Sequence, residues 1–138
     1  MRPDDVPVLG VLKQSMSFHA QRQRVIAENV ANANTPGYVA QDLDQNAFQR
    51  ELQDLLQARA SGSTAARGAA SVPALSSPTR QWDSQDAPDS ETTVNGNSVV
   101  LEEQMIRANE NRLEYESALS LYQKSLSMIR TAIRQSGR

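Results

Sequence analysis

Few side chains in this sequence of 138 residues have types and spacing that suit catalysis. His19 is the only histidine and there is no cysteine, so a histidine–cysteine metal site or a thiolate nucleophile cannot be assembled. Asp42 and Asp44 are spaced like a carboxylate pair for acid–base work, but they stand just before a helical pattern, where a carboxylate caps the helix. Other acidic residues, such as Glu102 and Glu103, fall on a largely polar helix face. The sequence predicts no enzymatic activity, no metal, no cofactor and no small-molecule substrate.

Composition and charge exclude further classes of function. Apolar residues make up 38% of the chain, which is less than a compact globular domain usually contains. A formal net charge of -2 with mixed signs gives no clustered basic face, so we expect no nucleic-acid binding. No run approaches the ~18–20 apolar residues of a membrane helix, and the acidic N-terminus does not fit a signal peptide. Taken alone, these features predict a cytosolic protein.

Residues 26–39 contain the end of a predicted helix, and several of them disfavour its continuation. Pro36 disfavours a helical conformation at Thr35, which precedes it. Pro36 and Gly37 then fit the two central positions of a type II turn, because proline presets φ and glycine tolerates a positive φ. Asn34 accepts the left-handed conformation that is common at a helix end. The pattern predicts a helix that stops abruptly at a tight turn.

Three asparagines lie in the last turns of this helix, where helix propensity alone would not place them: Asn29, Asn32 and Asn34. A primary amide has two N–H donors and two acceptor lone pairs. Such a cluster can therefore bond the backbone of another chain as readily as its own.

The helix before this turn is predicted over about 28 residues, ending near Ala33. Its apolar residues recur at steps of three and four and form a contact seam that includes Leu12, Met16, Ile26 and Val30. His19 and Gln23 interrupt the seam. His19 is interpreted as a polar core position that sets the helix register, or as one that faces a partner subunit.

A second long helix is predicted near the C-terminus, capped by Asn97 or Ser98. Its seam alternates steps of four and three over more than four heptads, as in a coiled coil. The members of that seam are Leu101, Met105, Ala108, Arg112, Tyr115, Leu119, Tyr122, Leu126, Ile129 and Ile133.

The part between the two long helices divides by composition. A short helix capped by Asp42 or Asp44 is predicted within residues 41–58. Residues 59–96 are rich in Ala, Ser, Gly, Thr and Pro, which predicts a flexible linker. Trp82 is interpreted as exposed in that linker, with an anchor for a partner as the alternative. The predicted segments are therefore 1–40, 41–58, 59–96 and 97–138.

The predicted fold is all-α, with two long terminal helices paired as a coiled-coil-like hairpin, a short middle helix and a long disordered linker. Such a pair buries one stripe of each helix, and apolar residues off the seams, such as Phe18 and Leu113, would form large exposed patches. Neighbouring copies can cover these patches, and a head-to-tail contact that does not close makes a helical filament. The alternative is a self-contained bundle in which the middle helix folds onto the pair.

Two stretches resemble a known family. Residues 31–38, Ala-Asn-Ala-Asn-Thr-Pro-Gly-Tyr, resemble the signature of the flagellar rod, hook and hook–filament junction proteins. Residues 95–105, Asn-Gly-Asn-Ser-Val-Val-Leu-Glu-Glu-Gln-Met, and residues 108–116, Ala-Asn-Glu-Asn-Arg-Leu-Glu-Tyr-Glu, resemble the pattern of the proximal rod proteins in that family. Glu28 departs from the pattern, since a small or amide residue is usual there.

The resemblance implies a structural subunit of the bacterial flagellar basal body rod. Subunits of that family polymerise through their terminal helices into a helical tube in the periplasm that transmits torque. The implied partners are copies of the chain, other rod proteins and a membrane-ring or export-gate adaptor at the rod base, reached by type III export without a cleaved signal peptide. The residues implied in an inter-subunit turn are Asn29, Asn32, Asn34, Thr35, Pro36, Gly37 and Tyr38. The alternative, a cytoplasmic coiled-coil adaptor or export chaperone, explains the periodicity but not the turn.

Overall fold

The computed structural model describes residues 7–60 and 81–135, and helices dominate them. The elements follow in the order α1 (Pro7–Ala31), β1 (Gln41–Leu43), α2 (Gln45–Ala60), β2 (Ser84–Asp86) and α3 (Leu101–Gln135). The predicted all-α class, with two long terminal helices and a short middle helix, is confirmed. The small pair of strands was not predicted. No helix in the described ranges combines the length and the apolar character needed to cross a membrane.

Helices α1 and α3 pack side by side in opposite directions. Asn29, near the end of α1, bonds Gln104, near the start of α3, at 3.0 Å. His19, in the middle of α1, bonds Asn111, further along α3, at 2.9 Å. The helices have 25 and 35 residues, or about 37 and 52 Å. This contact gives both helices tertiary packing, without which a long helix is only marginally stable in water.

The strands pair antiparallel and hold the segment before α3 against α1. Their register sets Gln41 opposite Asp86 and Leu43 opposite Ser84. The ladder continues beyond the strands, because the N–H of Ala87 donates to the carbonyl of Ala40 at 2.8 Å.

An aromatic core lies where α1, α2 and the β2 segment meet. Phe18 and Phe48 are buried and stack with ring centroids 4.2 Å apart. The ring of Trp82 meets both rings edge-on, at 5.3 and 5.4 Å, and Leu43 completes the cluster. Trp82 is therefore a half-buried core residue, and its interpretation as an exposed linker tryptophan was wrong. Strand pairing supplies the contacts that the composition of the segment did not indicate.

The predicted linker needs a different description over part of its length. Residues 61–80 lie outside the described residues. Residues 81–96 carry β2 and a turn that ends at Gly96, and they are bonded to the rest of the molecule. The boundary predicted at residue 96 therefore does not separate a flexible segment from an ordered one, because backbone bonds and Trp82 offset the ordering entropy.

The face of α3 that packs on α1 is displaced by one residue from the predicted seam at several positions. The buried residues are Gln104, Asn111 and Ala118, each one position before a predicted seam residue. Met105 is 70% exposed. The prediction counted apolar side chains, so it passed over two amides whose partners are distant in sequence and an alanine small enough for close approach.

The remaining seam residues differ in burial. Ile26 is buried, whereas Val30, Leu101 and Ile133 are exposed. Half-buried positions are Leu12, Met16, Tyr115, Leu119, Tyr122, Leu126 and Ile129.

Candidate functional site

The turn after α1 has the geometry that its Pro-Gly pair predicts. The N–H of Tyr38 donates to the carbonyl of Thr35 at 3.3 Å, which closes the turn around Pro36 and Gly37. Gly37 has φ +71°, as the third residue of a type II turn requires. A residue with a Cβ would be strained at this φ, so the backbone conformation at position 37 favours glycine.

Asn29 ties this turn to the rest of the molecule and has no exposed surface. Its Nδ2 donates to the carbonyl of Gln41 at 2.7 Å and to Oε1 of Gln104 at 3.0 Å. Its Oδ1 accepts from the N–H of Gln41 at 2.9 Å and from the hydroxyl of Tyr38 at 3.1 Å. Burial raises the pKa of the Tyr38 phenol, with a smaller contribution from Glu28, which keeps that hydroxyl a donor. Every donor and acceptor position of the Asn29 amide is therefore used inside the chain.

A buried polar chain continues from Gln104 to the start of α3. The Nε2 of Gln104 donates to both carboxylate oxygens of Asp89, at 3.0 and 2.9 Å. Asp89 also accepts from the N–H of Val100 at 2.8 Å and pairs with Arg107 at 2.9 Å. The first bond within α3 runs from the N–H of Gln104 to the carbonyl of Val100, so Val100 holds the N-cap position. The carboxylate at this helix start thus comes from a distant residue, not from the predicted caps.

The predicted cap residues bond the segment that follows α1 instead. We call residues 87–100 the junction segment. Its Asn97 donates from Nδ2 to the carbonyls of Asn32 and Thr35, at 2.9 and 2.7 Å. Its Ser98 accepts from the N–H of Ala40 through Oγ at 3.0 Å. These side chains bond backbone groups of the segment that follows α1.

Two glycines meet where the turn and the junction segment touch. The N–H of Gly37 donates to the carbonyl of Asn95 at 3.0 Å. Gly96 has φ +81°, and a Cβ on it would lie 3.4 Å from the Cα of Gly37. The positive φ of Gly96 favours glycine at this position, and the added Cβ would make only an ordinary van der Waals contact with Gly37.

The predicted inter-subunit turn divides into an inner and an outer part. Asn29 is buried, and Asn32 and Tyr38 are half-buried with bonds inside the chain. The exposed members are Asn34, Thr35, Pro36 and Gly37. Val94, in the adjoining turn of the junction segment, is fully exposed beside them. The asparagines named by the sequence thus act mainly as internal supports, and the surface itself belongs to the Thr-Pro-Gly tip.

His19 lies at the α1–α3 contact and is buried. Asn111 donates from Nδ2 to the His19 carbonyl at 2.8 Å and to Oε1 of Gln23 at 3.1 Å, so its Oδ1 is the acceptor facing the ring. The 2.9 Å contact from Nδ1 of His19 to that oxygen therefore requires a proton on Nδ1. A carboxylate oxygen of Glu114 lies 3.4 Å from the same nitrogen. His19 occupies the polar core position that the sequence offered as one of two interpretations.

Arg22 and Asp42 form a second polar link, between α1 and β1. The guanidinium donates twice to the carboxylate, at 2.8 and 2.7 Å, and the side chains are only 8% and 15% exposed. The hydrogen bond to Asp42 raises the pKa of Arg22. Asp44 takes the capping role, since its Oδ1 accepts from the N–H of Ala47 at 2.9 Å. The two carboxylates thus have separate structural partners.

These contacts make a rigid junction, and they do not resemble a reaction centre. Within residues 7–60 and 81–135 no three His, Cys, Asp or Glu side chains are grouped so as to hold a metal ion. The buried polar side chains Asn29, Asp89, Asn97, Ser98 and Gln104 are bonded to other side chains or to backbone. What the arrangement can do is hold an exposed tip and two long helices in a fixed relation.

Comparison with known proteins places this junction in a family context. A family model described as "Flagella basal body rod protein" matches residues 14–38, which include Asn29 and the turn. The chain is 35% identical over 116 residues to the flagellar basal body rod protein FlgB of Escherichia coli K12, covering 78% of this chain and 79% of that protein. It is 32% identical over 127 residues to FlgB of Cereibacter sphaeroides, covering 91% and 93%. With FlgB of Salmonella typhimurium the identity is 28% over 113 residues, covering 79% and 80%.

Proposed function

The chain belongs to the flagellar basal body rod proteins and is a structural subunit of that rod, and we propose that its exposed tip and exposed helix faces are the contacts by which it polymerises. The family is one of structural proteins that assemble with other rod proteins in the flagellar basal body. The polymer would be a helical tube that carries torque through the periplasm. The cytoplasmic adaptor considered from the periodicity alone loses its support, because the relatives are rod proteins.

The observation that carries this proposal is the apolar surface that the helix pair leaves uncovered. Ile106, Leu113, Leu121 and Met128 on α3 are each more than half exposed. Single exposed apolar side chains are ordinary, but a row of them on one helix is typical of a protein interaction surface. Neighbouring subunits would bury this surface in the tube.

The tip of the turn supports the same proposal. Its backbone is held by hydrogen bonds from the Asn97 side chain and by the hydrogen bond from the Gly37 N–H to the Asn95 carbonyl. A tip that is already ordered loses little conformational entropy when it docks against a neighbour. Thr35 and Pro36 are the exposed side chains that we expect to make this contact.

Two finer parts of the proposal concern the path to the rod. The subunit would leave the cell through the flagellar type III apparatus without a cleaved signal peptide, and a membrane-ring or export-gate adaptor would receive it at the rod base. Partial unfolding of the long helices during export, followed by ordering against neighbours, would also delay premature polymerisation.

The test is Leu126→Asp in a strain whose own copy of the gene is deleted. Leu126 is half-buried on the α1 side of α3, so a carboxylate there opposes packing. We expect no rods in electron micrographs of basal bodies and no swimming, while the variant is still exported. Ser127→Asp is the matched control, because it adds the same charge one position away, where the side chain is exposed. Normal rods with Leu126→Asp would overturn the assigned seam. Loss of rods with both variants would show that a negative charge in this part of α3 prevents assembly whichever face it is on.

A further inference from the structure

The junction segment contains the only asparagine of the chain that precedes a glycine, in the pair Asn95 and Gly96. Asparagine is one of the thermolabile residues of proteins, because its side-chain amide can react with the backbone nitrogen that follows it. Glycine has no Cβ to hinder that approach. Every other asparagine precedes a residue with a side chain. The sequence therefore makes this pair the most reactive of its kind in the chain.

The reaction of such a pair is an intramolecular displacement. The backbone nitrogen of Gly96 loses its proton and forms a bond to Cγ of Asn95. The bond between Cγ and Nδ2 then breaks, and the amide group takes up a proton and leaves as ammonia. Water opens the resulting five-membered succinimide at either carbonyl, which gives aspartate or isoaspartate at position 95. Water is the only co-reactant.

In the folded chain the attacking nitrogen is already in use. The N–H of Gly96 donates to the carbonyl of Thr93 at 2.8 Å and closes a turn over Val94 and Asn95. The nitrogen must give up this bond before it can lose its proton and approach Cγ. The ordered turn therefore withholds the nucleophile.

The asparagine is held as well. Its Oδ1 accepts from the N–H of Asn97 at 3.1 Å and contacts the hydroxyl of Thr93. Its main-chain carbonyl accepts from the N–H of Gly37 at 3.0 Å. A donor on Oδ1 polarises the amide carbon, but the carbon cannot react while the Gly96 nitrogen is bonded elsewhere. Asn95 is exposed, so water is at hand, and order in the turn controls the reaction.

We propose that Asn95 is a site of spontaneous deamidation that reacts when the junction segment is open and is protected when that segment is ordered. Open means here that the hydrogen bond from Gly96 to Thr93 is broken. Local opening has a free energy of its own, which is smaller than that of global unfolding in weakly packed segments. The fraction of time spent open then sets the rate of the reaction.

Isoaspartate at position 95 would disrupt the contact between the two turns. The main chain then runs through Cβ and Cγ of residue 95 and is one atom longer. The carbonyl that accepts from Gly37 becomes a free carboxylate at a new place. A chain modified before assembly would thus lose a support of its exposed tip. That consequence rests on the proposed role of the tip in polymerisation, whereas the reaction itself does not.

The first experiment establishes the site. The purified full-length chain is incubated in concentrated urea at neutral pH, and mass spectrometry follows the peptide that contains Asn95. Methylation by protein isoaspartate methyltransferase detects the isoaspartate product. We expect Asn95 to be modified faster than every other asparagine. Asn95→Gln is the matched control, because the longer side chain would have to close a six-membered ring, and this signal should be lost.

The second experiment tests the link to order in the turn. In native buffer, NMR measures hydrogen exchange at the Gly96 amide while mass spectrometry measures deamidation. Both rates, each divided by its value in urea, should agree. Asn97→Ala removes the side-chain bonds to the Asn32 and Thr35 carbonyls, and any rise in exchange should be matched by the same fold rise in deamidation. Asn34→Ala, at an exposed asparagine, should leave both rates at their parent values.

A third measurement compares assembled chains. In purified basal bodies Asn95 should stay unmodified over times at which the chain in urea is mostly modified. Absence of the chain from basal bodies would contradict the proposed function, and the comparison of deamidation with exchange would still decide this proposal.

Three results would overturn the proposal. The first is a different asparagine reacting fastest in urea. The second is a protected Gly96 amide together with deamidation as fast as in urea, or an unprotected amide together with slow deamidation. The third is modification in basal bodies at the rate seen in urea.

Discussion

Asn29 and Gln104 stand 75 positions apart in the chain and share an amide–amide hydrogen bond of 3.0 Å, with no exposed surface on either residue. This bond joins the last turn of α1 to the first turn of α3. The end of one terminal helix can therefore reach its final place only when the start of the other is present. The turn can therefore adopt its final structure only together with the adjoining ends of both helices.

Asn29→Ala should lower the free energy of unfolding by about 3 kcal/mol or more. The change leaves buried partners unsatisfied at Gln41, Tyr38 and Gln104, and each such group costs about 1–3 kcal/mol. Urea denaturation followed by circular dichroism measures the loss. Asn34→Ala is the matched control, because Asn34 is an exposed asparagine of the same turn and should change stability by less than about 0.5 kcal/mol. Equal losses in the two variants would contradict the internal role of Asn29.

Gly96→Ala and Gly37→Ala should each destabilise the protein by about 1–2 kcal/mol. Both glycines have a positive φ, +81° and +71°, so both alanines bear backbone strain of that size. At position 37 nothing lies within 4 Å of the new Cβ, and at position 96 the nearest atom, the Cα of Gly37, lies at the ordinary van der Waals distance of 3.4 Å. Thermal unfolding of the two variants under one buffer condition measures the losses. A clearly larger loss for Gly96→Ala would mean that the contact with Gly37 adds a steric cost to the strain.

Arg22→Ala should lower the free energy of unfolding by about 3–5 kcal/mol, because it leaves the Asp42 carboxylate largely buried without its cation. Arg112→Ala breaks an exposed pair with Glu116 on one helix and serves as the control. We expect that control to leave the denaturation midpoint nearly unchanged. Adding Asp42→Asn to Arg22→Ala should recover part of the loss, since no unpaired charge remains. If the double variant is no more stable than Arg22→Ala, the buried charge is not the cause.

The Asp44 cap should make stability depend on pH in the acidic range. The N–H of Ala47, above all, lowers the pKa of Asp44 from its ordinary value of 3.8. A carboxyl whose pKa is lower in the folded state stabilises fully above its unfolded pKa, and that contribution is lost as the pH falls through the folded pKa. Stability attributable to Asp44 should therefore decline below about pH 4.

Asp44→Asn checks this pH dependence. The amide oxygen still accepts from the Ala47 N–H but does not titrate. Denaturation curves between pH 2 and 7 should show a shallower acid decline for the variant than for the parent chain. Identical pH profiles would show that other carboxyls account for the decline.

Several features of the fold could be read from local sequence because local chemistry determines them. Pro36 and Gly37 restrict their own φ angles, so the turn and the end of α1 were predictable before any tertiary contact was known. The long C-terminal helix likewise follows from spacing within one segment. The sequence motifs in residues 31–38, 95–105 and 108–116 were sufficient to indicate the family.

The register of α3, the core role of Trp82 and the uses of the asparagines needed the tertiary structure. An amide such as Asn111 or Gln104 looks like a surface residue in sequence, because whether it can be buried depends on partners from another element. Trp82 joins Phe18 and Phe48 only because β2 pairs with β1, a contact between distant segments that periodicity cannot register. The sequence alone determined the turn after α1 and the segments that are helical, since those choices are made within a few residues. Only the tertiary structure decided which faces meet, because each buried polar group must find its partner elsewhere in the chain.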